Sequence, residues 1–219
     1  MSKKWLSKNK KDYFYAKSKE DGFRARAVYK ITQINDEFGI FTRGTTKETV
    51  KGVLDLGAAP GSWIQGVLSV IGNENPKILG VDVKRMGEIP GARMVTLNVM
   101  SEQMENEIES FFDRGIDLVL SDMSPKISGN KEIDTGKTLD LVNRAIVLAR
   151  KYLNKGGNFV SKIFQYAEMN EIINDLKQDF NIVQAHKPKA SRQGNREMYI
   201  IALGYKMGER KKGAQNSKE

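Results

Sequence analysis

The chain has 219 residues, no cysteine and a single histidine, His186. That excludes a disulfide framework and any thiolate or histidine-based metal site, so no metal is expected. No apolar run approaches membrane-spanning length and the lysine-rich N-terminus has no apolar signal core, so the expectation is a cytoplasmic protein with no membrane partner. The net charge of +9 sits at the two ends: residues 1–19 carry seven lysines and one acid, residues 206–219 five basic residues and two acids, and 20–205 sum to zero.

Basic arms over 1–20 and 206–219 therefore flank a neutral domain over 21–205, as phosphate-seeking segments or as solubilising tails. Tyr13, Phe14 and Tyr15 lie among the N-terminal lysines, where they stack on bases or dock the arm onto the domain; docking is the expectation. Phe23, Ala27, Ile31 and Ile34 fall at helical spacing, which predicts an amphipathic helix from Phe23 to Phe38, stopped near Gly39.

Val53 to Gly61 reads as a buried strand running into a glycine turn, with a helix opening at Ser62-Trp63. In an open α/β sheet such a strand end, beside a helix N-terminus, is where nucleotide-like cofactors bind. Pro60 and Gly61 occupy the turn where the dinucleotide fingerprint wants a third glycine further on, so NAD is not the expected ligand. The next strand, 77–83, ends in Asp82, placed for ribose hydroxyls, and a third, 92–97, ends at Asn98, placed for an adenine edge.

Further strands are expected near 116–121, 156–163, 181–186 and 197–203, and helices near 62–71, 101–113, 136–153 and 167–178. The alternation predicts an α/β, Rossmann-like fold with a seven-stranded, mostly parallel sheet and helices on both faces. Only Lys187 to Arg196 joins the last two strands, too short for a parallel crossover, so one C-terminal strand is antiparallel. The fourth strand delivers Asp122 across the crevice from Gly57, and a polar loop from Lys126 to Thr135 follows as an active-site cover. Lys162 in an apolar strand is a buried functional amine or a snorkelling strand-end lysine. Glu197 follows the basic stretch of Lys187, Lys189, Arg192 and Arg196, where a surface salt bridge is the plain alternative.

Five segments in order, Arg24 to Ile31, Asp55 to Trp63, Ser121 to Pro125, Ser161 to Gln165 and Arg196 to Tyr199, resemble the FtsJ/RrmJ (RlmE) family of S-adenosylmethionine-dependent RNA ribose 2′-O-methyltransferases, over about residues 12–205. The resemblance implies methylation of a uridine ribose in large-subunit ribosomal RNA. It implies a catalytic tetrad of Lys30, Asp122, Lys162 and Glu197, and cofactor contacts at Gly61, Trp63, Asp82, Asn98 and Asp122, to which the glycine turn adds Gly57 and Pro60. The family usually has Asp where this chain has Asn98, so altered affinity is expected there rather than lost binding. Arg24, Arg26, Lys187, Lys189, Arg192 and Arg196 are the expected phosphate contacts, and basic arms around one site suit a monomer. Two rivals remain: a tRNA ribose methyltransferase of the same family, and a non-catalytic RNA-binding assembly factor that keeps the fold.

Overall fold

The computed structural model describes residues 13–206, apart from 45, 127, 166–167, 192–193 and 195. Most of both expected arms, and Arg192, lie outside the described residues.

Helix α1 covers 13–20, and α2 covers Val28–Phe38. The α2 face of Val28, Tyr29, Ile31 and Ile34 is buried, and Gly39, at φ 64°, ends the helix by donating its N–H to Asn35 O. The expected start at Phe23 is corrected to Val28. Residues 23–25 are irregular and 26–27 form a turn, and the Arg24 N–H donates 2.8 Å to the Gln65 side chain instead of continuing a helical ladder. Phe14 packs on Tyr29 at 5.4 Å between ring centroids, whereas Tyr13 and Tyr15 are each 59% exposed. Of these three rings, Phe14 is the one that packs on the domain.

Two short antiparallel strands, β1 (Thr42–Arg43) and β2 (Glu48–Thr49), precede the main sheet. That sheet contains β3 (Gly52–Leu56), β4 (Lys77–Asp82), β5 (Arg93–Thr96), β6 (Ile116–Ser121), β7 (Leu153–Phe164), β8 (Phe180–His186) and β9 (Glu197–Tyr205), in the order β5-β4-β3-β6-β7-β9-β8. Within this sheet β9 is reversed, running antiparallel to both of its neighbours, β7 and β8. Helices α2 and α3 (Ser62–Ile71) cover one face, packing Ile31, Ile34, Ile64 and Val67 on Val53, Leu118 and Leu120. Helices α4 (Gln103–Phe111), α5 (Lys131–Tyr152) and α6 (Met169–Asp179) cover the other, with Ile108, Ala145 and Leu176 beside Leu54, Val119 and Phe159. Burial on both faces explains why β3 and β6 are apolar almost throughout.

The expected cover loop of 126–135 is shorter than its composition suggests. Asn130 caps α5, accepting from Glu132 N at 3.0 Å and Ile133 N at 3.3 Å, so helix begins at Lys131 despite Gly136. The sheet order reverses between β3 and β6, and ligands of open α/β sheets bind at the carboxyl ends of such strands.

Candidate active site

The turn after β3 is stitched to the end of β4. Gly57 N and Ala58 N both donate to Val81 O, at 2.8 and 3.1 Å, and Ala59 N donates to Asp82 Oδ2 at 3.0 Å. Gly57 and Gly61 adopt φ of 75° and 101°, which side chains disfavour. A Cβ at Gly57 would stand 2.9 Å from both Met123 Cα and Met123 N. The missing side chain leaves the mouth of a cleft of about 480 Å³ lined by Gly57, Asp82, Asn98, Asp122, Met123 and Pro125, among others. Asp82 also accepts from Lys84 N at 2.8 Å, and Asn98 Oδ1 from Met100 N at 3.0 Å, so both side chains are held in place.

Pro60, Gly61 and Trp63 do not line this cleft. The side chain of Trp63, expected as a cofactor contact, turns into the core instead: the residue is 2% exposed, donates Nε1–H to Ala27 O at 3.0 Å and packs on Tyr199 at 5.7 Å. An indole on the inner face of α3 gains more from the core than from the crevice. Its backbone remains in the first turn of α3.

Arg24 and Arg26, expected on phosphate, are engaged within the fold. Arg24 donates Nη1–H to Pro60 O at 3.0 Å and to Gly87 O at 2.8 Å, and Nη2–H to Glu88 O at 2.6 Å. It clamps the glycine turn to the loop after β4, since a guanidinium fork suits several carbonyls that no helix or strand satisfies. Arg26 donates to Ala190 O at 2.7 Å and lies over the Phe14 ring at 5.9 Å, joining the 187–196 segment to α1. Lys187, Lys189 and Arg196 are exposed.

Beside the cleft, and sharing Asp122 with it, the four expected polar residues meet in one corner. Lys162 on β7 is 8% exposed; its Nζ donates 2.6 Å to Asp122 O and pairs with Asp122 Oδ1 at 3.1 Å. Lys30 on α2 pairs with Glu197 Oε1 at 2.5 Å, both side chains being mostly buried. Burial raises the affinity of Glu197 for a proton, but the charge and hydrogen bond of Lys30, then Lys162 and Tyr199, outweigh it and hold its carboxyl below the ordinary value. Tyr199, which sequence reasoning missed, is buried at the centre. Its position two residues beyond Glu197 puts it on the same face of β9, and that period was the available signal. The oxyanions and ammoniums are paired, as burial of charge requires.

Asp55, in the middle of β3, is fully buried, and neither carboxylate oxygen has a hydrogen-bond partner in the described residues. Burial first, then the charges of Asp122 and Asp82, holds its carboxyl well above the usual range. The folded chain then keeps a proton that the unfolded chain releases above about pH 3.9, so this residue costs stability increasingly as pH rises from there towards its folded titration. Asp55→Asn is expected to melt at or above the wild-type temperature at pH 8, with the advantage shrinking towards pH 5; thermal melts across that range check it, and an advantage that grows on acidification contradicts it.

A mostly parallel sheet with β9 reversed, a glycine-bounded turn at its switch point and a polar corner alongside define a Rossmann-like methyltransferase. The sequence comparison agrees: the model of the FtsJ-like methyltransferase family matches residues 23–205. The chain belongs to that family and is an S-adenosylmethionine-dependent methyltransferase. It is 38% identical to the Ribosomal RNA large subunit methyltransferase E of Hahella chejuensis, over 94% of this chain and 97% of that one. It is 35% identical to the protein of the same name from Francisella philomiragia, again over 94% and 97%. A crystal structure of a Plasmodium falciparum chain described as a ribosomal RNA methyltransferase superposes with a TM-score of 0.73 at 27% identity, covering 84% of this chain and 98% of that one.

The cleft fits the cofactor on its own observations. A Cβ at Gly57 would collide with Met123 on the cleft wall, and the lining carries the carboxylate of Asp82 and the amide of Asn98, groups whose chemistry suits ribose hydroxyls and an adenine edge.

Proposed function

We propose that this enzyme methylates a ribose 2′-hydroxyl of large-subunit ribosomal RNA, with a uridine as target, and that it works as a cytoplasmic monomer. The observation that carries the reading is the corner itself, in which Lys30, Asp122, Lys162 and Glu197 converge at one edge of the cofactor cleft. The relatives' names point the substrate towards large-subunit RNA.

Bound in the cleft, S-adenosylmethionine supplies a methyl group on a positively charged sulfur. In its neutral form, after it has shed its own proton, Lys162 Nζ takes the 2′-hydroxyl proton, so that the ribose oxygen would be free to accept that methyl group. Asp122 orients that amine through Oδ1 and its carbonyl, and it also lines the cleft, where its negative charge would suit a cationic cofactor. The Lys30–Glu197 pair positions the ribose and its phosphate. Asp82, Asn98 and Gly57, which line the cleft, hold the cofactor, while Pro60, Gly61 and the backbone of Trp63 shape the turn that leads into α3. A target hydroxyl at the 2′ position selects RNA over DNA. Lys187, Lys189 and Arg196, with the basic arms and Arg192, contact phosphates, which makes binding strongly salt-dependent.

A tRNA substrate and a non-catalytic role are the competing readings, and a binder has no use for a paired polar corner buried beside a cofactor cleft. Labelled methyl transfer to undermethylated large subunits, free ribosomal RNA and bulk tRNA separates the three. Transfer to the large subunit or its RNA is expected; preference for tRNA overturns the substrate, and no transfer to any RNA overturns the activity.

A further inference from the structure

The two ion pairs of the corner are joined through one phenol. Tyr199 is the register partner of Lys162 across the β7–β9 ladder and is fully buried. Its hydroxyl stands 3.1 Å from Asp122 Oδ1, 3.0 Å from Glu197 Oε1 and 3.0 Å from Lys30 Nζ. Lys30 donates to the phenolic oxygen. A phenol has a single O–H proton, so Asp122 and Glu197 compete for it, and a full-strength bond to one weakens the bond to the other.

The oxygen of Asp122 that Tyr199 reaches is the same Oδ1 that pairs with Lys162. The charged and titratable groups around the Lys162 amine are Asp122 from the end of β6, Glu197 and Tyr199 from β9, and Lys30 from α2. A hydrogen bond from the phenol to Oδ1 draws charge from that carboxylate and loosens its grip on the ammonium. A bond to Glu197 instead leaves Asp122 to hold the ammonium at full strength. Burial, then the charges of Asp122 and Glu197, keeps the Tyr199 proton in place well above the ordinary tyrosine range, so the hydroxyl stays a donor throughout.

We propose that Tyr199 is a positioning residue that couples the Lys162–Asp122 pair to the Lys30–Glu197 pair and sets how readily Lys162 sheds its proton for methyl transfer. The inference rests on the reading of Lys162 as the base. Because Lys30 and Glu197 meet the same hydroxyl, seating of a phosphate or ribose on that pair is transmitted to Asp122 through one proton.

The test is a single-turnover pH–rate profile on the RNA that the wild type methylates, at saturating cofactor, with S-adenosylhomocysteine affinity and thermal melting measured alongside. Tyr199→Phe is expected to bind S-adenosylhomocysteine within about twofold of wild type, to lose about tenfold in rate near neutral pH, and to recover as its rising limb moves about one pH unit upward. A rate unchanged, or lowered equally at every pH, overturns the proposal. Replacement of Tyr199 by 3-fluorotyrosine, a stronger donor of nearly the same size, covers a poorly folding Phe variant: its rising limb is expected at lower pH, and an unmoved limb overturns the proposal. Absence of transfer by the wild type itself overturns the underlying function, and this inference with it.

Discussion

Lys162→Ala is expected to lose methyl transfer by about 10²–10⁴-fold, the range in which a positioned acid–base group contributes, while S-adenosylhomocysteine binding persists. The expectation follows from where the amine lies: 8% exposed, between the carbonyl and carboxylate of Asp122, at the edge of the cofactor cleft but not in its lining. Removing it also strips Asp122 of its ion-pair partner. Breaking a buried pair costs about 3–5 kcal/mol, and less here because the Asp122 side chain is 23% exposed. Lys162→Arg separates the two effects. A guanidinium keeps the positive charge beside Asp122 but does not deprotonate, so melting temperature is expected to recover while the rate does not. Transfer retained in either variant, measured by labelled methyl incorporation, removes Lys162 from the role of base.

Gly57→Ala is expected to have the second-largest effect, on cofactor binding. Alanine at a φ of 75° costs roughly 1–2 kcal/mol before any contact is counted. Its Cβ would then meet Met123 Cα and N at 2.9 Å, and both are backbone atoms that no rotamer change moves away. The turn must shift, and the cleft with it. An S-adenosylhomocysteine dissociation constant raised at least about 30-fold is expected, about 2 kcal/mol of binding free energy. The melting temperature is expected to fall by several degrees. Gly136→Ala is the matched control, since an added Cβ there meets nothing within 4 Å and α5 gains a better helix former. Isothermal calorimetry on both variants checks the pair, and wild-type affinity in Gly57→Ala would refute the cradle.

What could be read from the chain follows the range of the forces involved. The strand, turn and helix from Val53 to Ile64 were legible because each residue states its own requirement: apolar on a strand buried from both sides, glycine where φ is positive. The reversal of β9 was legible from the shortness of Lys187 to Arg196 alone. By contrast, Arg24 finds its carbonyl partners at Pro60, Gly87 and Glu88, and Arg26 finds its own at Ala190. Nothing local distinguishes such an arginine from one that waits for phosphate. The ring of Trp63 turned inward for the same reason, its acceptor lying 36 residues away at Ala27. β1 and β2, two residues each, are too short to leave a periodic signal, and the polar residues after Gly129 masked the first turn of α5. The family resemblance brought out the four corner residues. It took in Tyr199 at the end of its last segment but gave it no role, because the importance of that residue lies in a hydroxyl that only the folded chain sets between two ion pairs.

The most direct measurement is the identity of the methylated nucleoside. Undermethylated large subunits are incubated with labelled S-adenosylmethionine and enzyme, and their RNA is digested to nucleosides and separated. Label in 2′-O-methyluridine, absent when Lys162→Ala replaces the wild type, is the predicted result. Label on a base, or equal label with the variant, would contradict the account.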